Sequence, residues 1–258
     1  MKRLLCTLAL FFAIPVISVP AAPPAAAAVP ATFPKQSEVL IARESPVWLA
    51  PGQVETAYGT GSCIAYENGK SLLLTNAHVA KDPLSKYKVW FKTKEYKATY
   101  LSGMKVTEDL KFLPNGTVSI TQDFEDDVDL ALLVVSVEIP VVEISAKNAV
   151  LDTTLHQWGF SGFKNVEDAP RYRTGKVSPV ATEKHTTSNV PSAPGDSGSG
   201  QFNDKGELVA VTAWGTESDP DRHTIAMSAL TVRKFLKDRL DTFPKLRLRL
   251  VGVVQMPK

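Results

Sequence analysis

The sequence predicts an all-β protein with one helix near its C-terminus and a short tail strand after it. Three observations carry this expectation. From Lys35 onward the chain consists of short apolar runs separated by turn residues, without the i, i+3, i+4 recurrence of an amphipathic helix. Asn68-Gly69 joins two such runs, 61–66 and 70–75, and Asn-Gly tolerates the positive φ angles that a two-residue hairpin turn requires. Only at Ser228 does the period change: Leu230, Val232, Phe235, Leu236 and Leu240 recur at helical spacing, with Lys and Arg between them, until Pro244 forbids continuation.

The chain begins with Met1-Lys2-Arg3, an apolar run over 4–19, and an Ala/Pro-rich tract to Pro34. A basic head, an apolar stretch short for a bilayer and small residues beyond it read as a secretory signal peptide. Cleavage after Ala28 fits, while Ala22 and Ala31 also serve, so residues 1–28 are assigned to the signal with the cut between 20 and 31. Removing Lys2 and Arg3 from 29 basic residues leaves 27 against 27 acidic ones. A formally neutral chain gives no reason to expect nucleic acid as a partner or stable membrane insertion after processing. Cys6 leaves with the signal, so Cys63 has no intramolecular disulfide partner and is expected to be a buried free thiol.

After a segment at 29–46 with a strand candidate over 38–42, further strands are expected over 47–50, at 61–66 and 70–75 around the hairpin, and over 87–91 and 95–101. The hairpin delivers the chain into Asn76-Ala77-His78-Val79. Asn115-Gly116 marks another turn, and the acidic stretch 123–129 runs into the apolar strand 130–135. Most of those acids suit a solvated face, but Asp129 abuts buried chain, where a carboxylate must find donors or shift its pKa. Beyond a composition change near 139–146, strands are expected over 141–144, 155–160, 174–180, 201–202 and 208–216. The helix is placed at 229–243, and the tail 244–258 is read as a strand because Leu246, Leu248 and Leu250 alternate with Arg247 and Arg249.

Between the strands expected over 174–180 and 201–202 lies Ser192-Ala193-Pro194-Gly195-Asp196-Ser197-Gly198-Ser199-Gly200. Glycines beside a serine remove Cβ atoms from its approach and let backbone N–H groups come near the hydroxyl. A serine hydroxyl becomes a competent nucleophile when a neutral imidazole takes its proton. The imidazole in turn needs a buried carboxylate to fix its tautomer and stabilise the cation. His78, Asp129 and Ser197 supply these three chemistries in that chain order.

The motifs Thr75-Asn76-Ala77-His78-Val79, Asp129-Leu130-Ala131-Leu132 and Gly195-Asp196-Ser197-Gly198 resemble those of the trypsin/chymotrypsin-like serine endopeptidases, most closely the bacterial, disulfide-poor branch. The resemblance implies two six-stranded antiparallel β-barrels, at 47–140 and 141–228, with the active site between them. It implies an acyl-enzyme mechanism without cofactor or metal: His78 as general base and acid, Asp129 orienting it, Ser197 as nucleophile, and the N–H groups of Gly195 and Ser197 as oxyanion hole. Pro191, Ser192, Ala213, Trp214 and Gly215 would bind substrate, the last three as the strand that pairs with an extended peptide.

The chain departs from the family pattern in two places. No activation sequence of two branched residues and two glycines is found, so Asp196 is expected to pair with an internal base, Arg171 or Arg173. The family's half-cystine after the histidine is Val79 here. Relatives selective for basic side chains carry an Asp six residues before the nucleophile, where this chain has Pro191, so a small or medium apolar P1 residue is expected, with Glu217, Asp219 and Asp221 as acids that could approach the far side of the pocket. His156, His185 and His223 are read as structural. The expected function is an exported serine endopeptidase, periplasmic or extracellular, acting on peptides or proteins. The alternative is a peptide- or protein-binding member of the same fold without catalysis. An α/β-hydrolase is excluded by the order of the three residues and by Ser199 where its nucleophile elbow requires glycine.

Overall fold

A computed structural model describes residues 35–46, 54–112, 118–162, 170–179, 182–215, 224–237, 239 and 243–251. The signal segment, the strand expected over 47–50, the Asn115-Gly116 turn, His223, Leu240 and Glu217, Asp219 and Asp221 lie outside the described residues.

The strands among the described residues are β1 (Glu38–Pro46), β2 (Val54–Glu67), β3 (Lys70–Thr75), β4 (Lys86–Phe91), β5 (Lys94–Gly103), β6 (Val106–Phe112), β7 (Val118–Phe124), β8 (Ala131–Val135), β9 (Thr154–Gly159), β10 (Arg171–Lys176), β11 (His185–Ser188), β12 (Gly200–Phe202), β13 (Leu208–Gly215) and β14 (Thr224–Ser228). The helices α1 (Ala229–Lys237) and α2 (Pro244–Val251) follow.

Strands β1-β2-β3-β8-β5-β4 close into an antiparallel barrel. Its β2–β3 hairpin turns on Asn68 and Gly69, with φ of 53° and 75°, as that dipeptide favours. The barrel starts earlier than the boundary expected at residue 47: β1 pairs with β2 from Glu38↔Ser62 to Pro46↔Val54 and with β4 on its other side, so part of the segment 29–46 is integral to the barrel. Hairpin β6–β7 forms a two-stranded sheet of its own, and its base leads through Phe124 to Asp129.

The second sheet has the order β10-β9-β12-β13-β14-β11 and curls into a half-barrel. Its two edges meet through the Val177↔Ser188 bridge and the Ser178 N–H to Thr187 carbonyl bond of 2.8 Å. The strand expected over 141–144 reduces to one parallel bridge, Ile144↔Leu208. Leu72, Leu73, Leu74, Leu132 and Leu133 of the barrel share one contiguous core with Phe202, Val211 and Met227 of the second sheet, so the two halves are packed as one unit.

Helix α1 begins at the expected residue. Ser228 caps it, its Oγ accepting the Thr231 N–H at 3.3 Å, and Val232, Phe235 and Leu236 are buried. Leu230, expected on the same apolar face, stands 42% exposed. The tail is the larger correction, since residues 244–251 form a helix rather than a strand. Pro244 occupies its first turn, where a missing N–H is harmless. Glu67, at the β2–β3 hairpin, accepts the Lys245 N–H at 3.2 Å and the Leu246 N–H at 2.8 Å. A carboxylate on these orphan donors also complements the helix dipole. The alternation that suggests a strand equally places Leu246 and Leu250 one helical turn apart, and both pack against the core. Among the described residues no helix is long and apolar enough to cross a membrane.

Candidate active site

β3 ends at Thr75, and the next residues fold into a tight turn in which the N–H groups of Val79 and Ala80 donate to the Asn76 carbonyl at 3.2 and 3.0 Å. This turn carries His78. The Asn76 amide donates to the Asp129 carbonyl at 2.8 Å and so fixes the entry to β8 beside it. Asp129 is fully buried and holds His78 twice: Oδ1 accepts the His78 backbone N–H at 3.0 Å and Oδ2 lies 2.6 Å from Nδ1. A carboxylate only accepts, so the proton sits on Nδ1 and the Nε2 lone pair is left to act as a base.

The turn bearing His78 is secured from β1. Arg43, only 2% exposed, donates through Nη1 to the carbonyls of His78 at 2.6 Å and Val79 at 3.3 Å. This buried guanidinium holds the turn at the position where the family pattern places a half-cystine. Cys63 is free and buried, and burial pushes its thiol up to about 11, so at neutral pH it is an inert thiol rather than a nucleophile.

The serine loop is fixed peptide by peptide. The Asp196 N–H donates to the Ala193 carbonyl at 3.0 Å, closing a turn whose third residue, Gly195, has φ of 97°. Pro194 before it and a left-handed glycine are the residues a type II turn demands. The Pro194 carbonyl accepts the Gly162 N–H at 3.1 Å, and in a trans peptide that turns the Gly195 N–H the opposite way. The Asp196 carbonyl accepts the Ser199 N–H at 2.9 Å and the Ser199 hydroxyl at 2.5 Å, which turns the Ser197 N–H away from Ser199. Among the described residues neither N–H has an intramolecular acceptor. Gly198, at φ 87°, lies so close to barrel 1 that a Cβ there would overlap the Thr60 carbonyl.

Asp196 is fully buried and pairs with Arg173 of β10, with the Ala193 N–H as a second donor at 2.9 Å. Of the two bases expected from the sequence, Arg173 is the partner. Its other Nη donates to Ser161 Oγ at 2.5 Å. Burial pushes the Asp196 carboxyl above its ordinary value, opposed by the Arg173 charge and the donors around it.

Ser197 Oγ donates to the Ala213 carbonyl at 3.4 Å, and among the described residues no hydrogen bond joins it to His78. β13 continues past the end of β12, whose last partner is Gly200↔Val211, so among the described residues no strand neighbours 213–215 on that side. Trp214 packs at 5.2 Å, tilted by 54°, against Phe124, whose ring in turn meets His78 edge-on at 6.5 Å. Across the pocket, a Cβ at Gly215 would lie 3.3 Å from that of Ser192, and Pro191 is exposed beside them. His156 is bonded to Tyr172 and Asp204, and His185 to Thr182 and the Asp127 carbonyl, both as structural histidines.

Glu38, which the sequence does not single out, links the two halves next to this loop. Its Oε1 accepts the Ser62 hydroxyl at 2.6 Å and its Oε2 faces the Gly200 N–H at 3.4 Å. Burial raises its carboxyl well above the ordinary value. A carboxyl with a raised folded-state pKa contributes stability that is present below the ordinary carboxylate range and is lost as pH rises through the raised value. Glu38→Gln is therefore expected to leave the melting temperature near wild type at pH 4 and to raise it by a few degrees at pH 8, read by thermal melts across that range. A constant offset at every pH would contradict this.

Residues 59–211 match the trypsin-like peptidase domain family. The chain belongs to that family. It is a serine endopeptidase, and its substrates are peptides or proteins. A comparison with curated protein sequences found no match. Among solved structures, an inactive form of Rv3671c from M. tuberculosis is similar at 18% identity and TM-score 0.56, over 82% of this chain and 90% of that one. The serine endoprotease from Yersinia pestis is similar at 17% identity and TM-score 0.57, over 85% of this chain and 68% of that one. At such identities the likeness is one of fold.

Proposed function

We propose that this endopeptidase cleaves through an acyl-enzyme on Ser197, with His78 as general base and acid, Asp129 as its orienting carboxylate, and the N–H groups of Gly195 and Ser197 as oxyanion hole. The observation that carries the reading is the pairing of a doubly hydrogen-bonded His78–Asp129 couple with two backbone donors on the serine loop that have no acceptor among the described residues. An extended substrate pairs with 213–215 and its P1 side chain enters between Ser192 and Gly215. The Ser197 hydroxyl leaves the Ala213 carbonyl by rotation about Cα–Cβ and gives its proton to His78 Nε2 as Oγ attacks the scissile carbonyl. The resulting oxyanion is held by the two N–H groups, each such donor being worth about 3–4 kcal/mol in the transition state. Collapse expels the amine, which takes the proton from His78. Water, deprotonated by His78, then attacks the ester, and the acid product leaves with Ser197 restored.

The P1 preference proposed is for small or medium apolar residues, supported by Pro191 at the place of a selecting acid and by Ser192, Ala213 and Gly215 around the pocket. The enzyme is proposed to act outside the cytoplasm, in the periplasm or beyond the cell, on the strength of the basic head and apolar run at 1–19. Mass-spectrometric mapping of cuts in a peptide library tests activity and preference together. Internal cleavage after Ala, Val or Leu is expected; cleavage mainly after Arg, Lys, Asp or Glu would overturn the preference.

A further inference from the structure

The loop that presents the oxyanion donors belongs to the second half of the molecule, yet two of its carbonyls are held from the first. Thr60, in the middle of β2, is fully buried. Its hydroxyl donates to the Gly195 carbonyl at 2.9 Å and accepts the Phe160 N–H at 3.1 Å. Its backbone N–H donates to the Ser197 carbonyl at 2.7 Å, and its own carbonyl accepts the Thr75 hydroxyl at 2.7 Å. Every polar group of Thr60 is thus engaged, and three of the four bonds reach outside barrel 1 or to the loop it faces.

The Gly195–Asp196 peptide lies between the two peptides whose N–H groups face the substrate. The bond from Gly162 to Pro194 holds the peptide before it, and Ser199 holds the one after it. The middle peptide is held at its N–H by Ala193 and at its carbonyl by Thr60 alone among the described residues. Gly195 is at a φ that glycine leaves soft, so without the Thr60 hydroxyl the ψ of Gly195 loses its restraint and the two donors lose their common direction. A β-branched side chain, stiff at χ1, suits a hydroxyl that must sit between a fixed donor and a fixed acceptor.

We propose that the Thr60 hydroxyl is a positioning residue for the oxyanion hole, relaying the order of the β9 end, at Phe160, across barrel 1 to the Gly195 carbonyl. It acts through the loop and does not touch the substrate. The inference rests on Ser197 as nucleophile and on Gly195 and Ser197 as donors.

The test compares Thr60→Val and Thr60→Ser in the full chain, using a peptide p-nitroanilide with alanine at P1 and the corresponding peptide aldehyde, whose hemiacetal oxygen occupies the same hole. Thr60→Val is expected to lower kcat by about 10- to 100-fold, with KM within threefold and the aldehyde weakened by the same factor as kcat. Thr60→Ser, which keeps the hydroxyl, is expected to stay within threefold of wild type in both. An unchanged kcat in Thr60→Val, a loss confined to KM, or an equal loss in Thr60→Ser would overturn the proposal. If Thr60→Val does not fold, Thr60→Ala replaces it and is judged by the same criteria, with a thermal melt confirming the native state. Full activity in Ser197→Ala would instead refute the nucleophile assignment, so the two failures are distinguishable.

Discussion

Asp129→Asn is expected to lower kcat by about four orders of magnitude while the protein stays folded. The carboxylate accepts two hydrogen bonds from His78, at its backbone N–H and at Nδ1. An amide of the same shape can accept at only one of these positions and presents an NH₂ group at the other. If the amide oxygen takes the backbone N–H, its NH₂ faces Nδ1 and forces the proton to Nε2, where it blocks acceptance from Ser197. Steady-state kinetics on a peptide substrate measure the loss, and nitrogen chemical shifts of the His78 ring report the tautomer. A loss smaller than tenfold would contradict the assigned role.

Arg173→Met is expected to be the most damaging change outside the three residues proposed to be catalytic. It removes the cation from a fully buried Asp196 and leaves that carboxylate with only the neutral donors Ala193 N–H and Ser161, while Oδ1 already lacks a hydrogen-bond partner among the described residues. Breaking a buried pair on one side costs about 3–5 kcal/mol, because the other charge stays desolvated. The serine loop turns on Asp196, so cleavage should fall with stability. The pH dependence has a definite sign. Arg173 holds the Asp196 pKa down against burial, so its removal raises that pKa further above the ordinary carboxylate value. Stability then persists below the ordinary value and is lost as pH rises through the raised one. Thermal melts should show the variant nearest to wild type at pH 4 and furthest from it at pH 8. Arg173→Met combined with Asp196→Asn should recover much of the stability, since no buried charge remains. Equal destabilisation at both pH values would count against this account.

What the sequence reveals depends on whether a residue acts through its own neighbours or through distant ones. Asn68-Gly69 determines its hairpin locally, and Ser228 with Val232, Phe235 and Leu236 determines α1 in the same way. His78, Asp129 and Ser197 stand out in the sequence as candidates because each has a side-chain chemistry that its flanking motif makes conspicuous. Arg171 and Arg173 lie on one face of a strand, and only tertiary placement, with Arg173 the less exposed, selects between them. Leu246-Arg247-Leu248-Arg249-Leu250 fits a strand or a helix. The decision comes from Glu67, 179 residues before the N–H it caps. Thr60 and Arg43 are hidden for the same reason: each acts on backbone carbonyls, 135 and 35 residues away, and a carbonyl leaves no mark in a sequence. Gly59-Thr60-Gly61 does carry a signal in hindsight, since a Cβ at Gly59 would press on Val79 and the Ser197 carbonyl.

The central claim is that Ser197 is a nucleophile activated by His78. Intact-mass measurement of the purified protein treated with a fluorophosphonate tests it most directly, followed by peptide mapping of the adduct. A single adduct on Ser197 is predicted, absent from Ser197→Ala and formed at least a hundredfold more slowly in His78→Ala. An adduct at another residue, or labelling at the wild-type rate in either variant, would contradict the account.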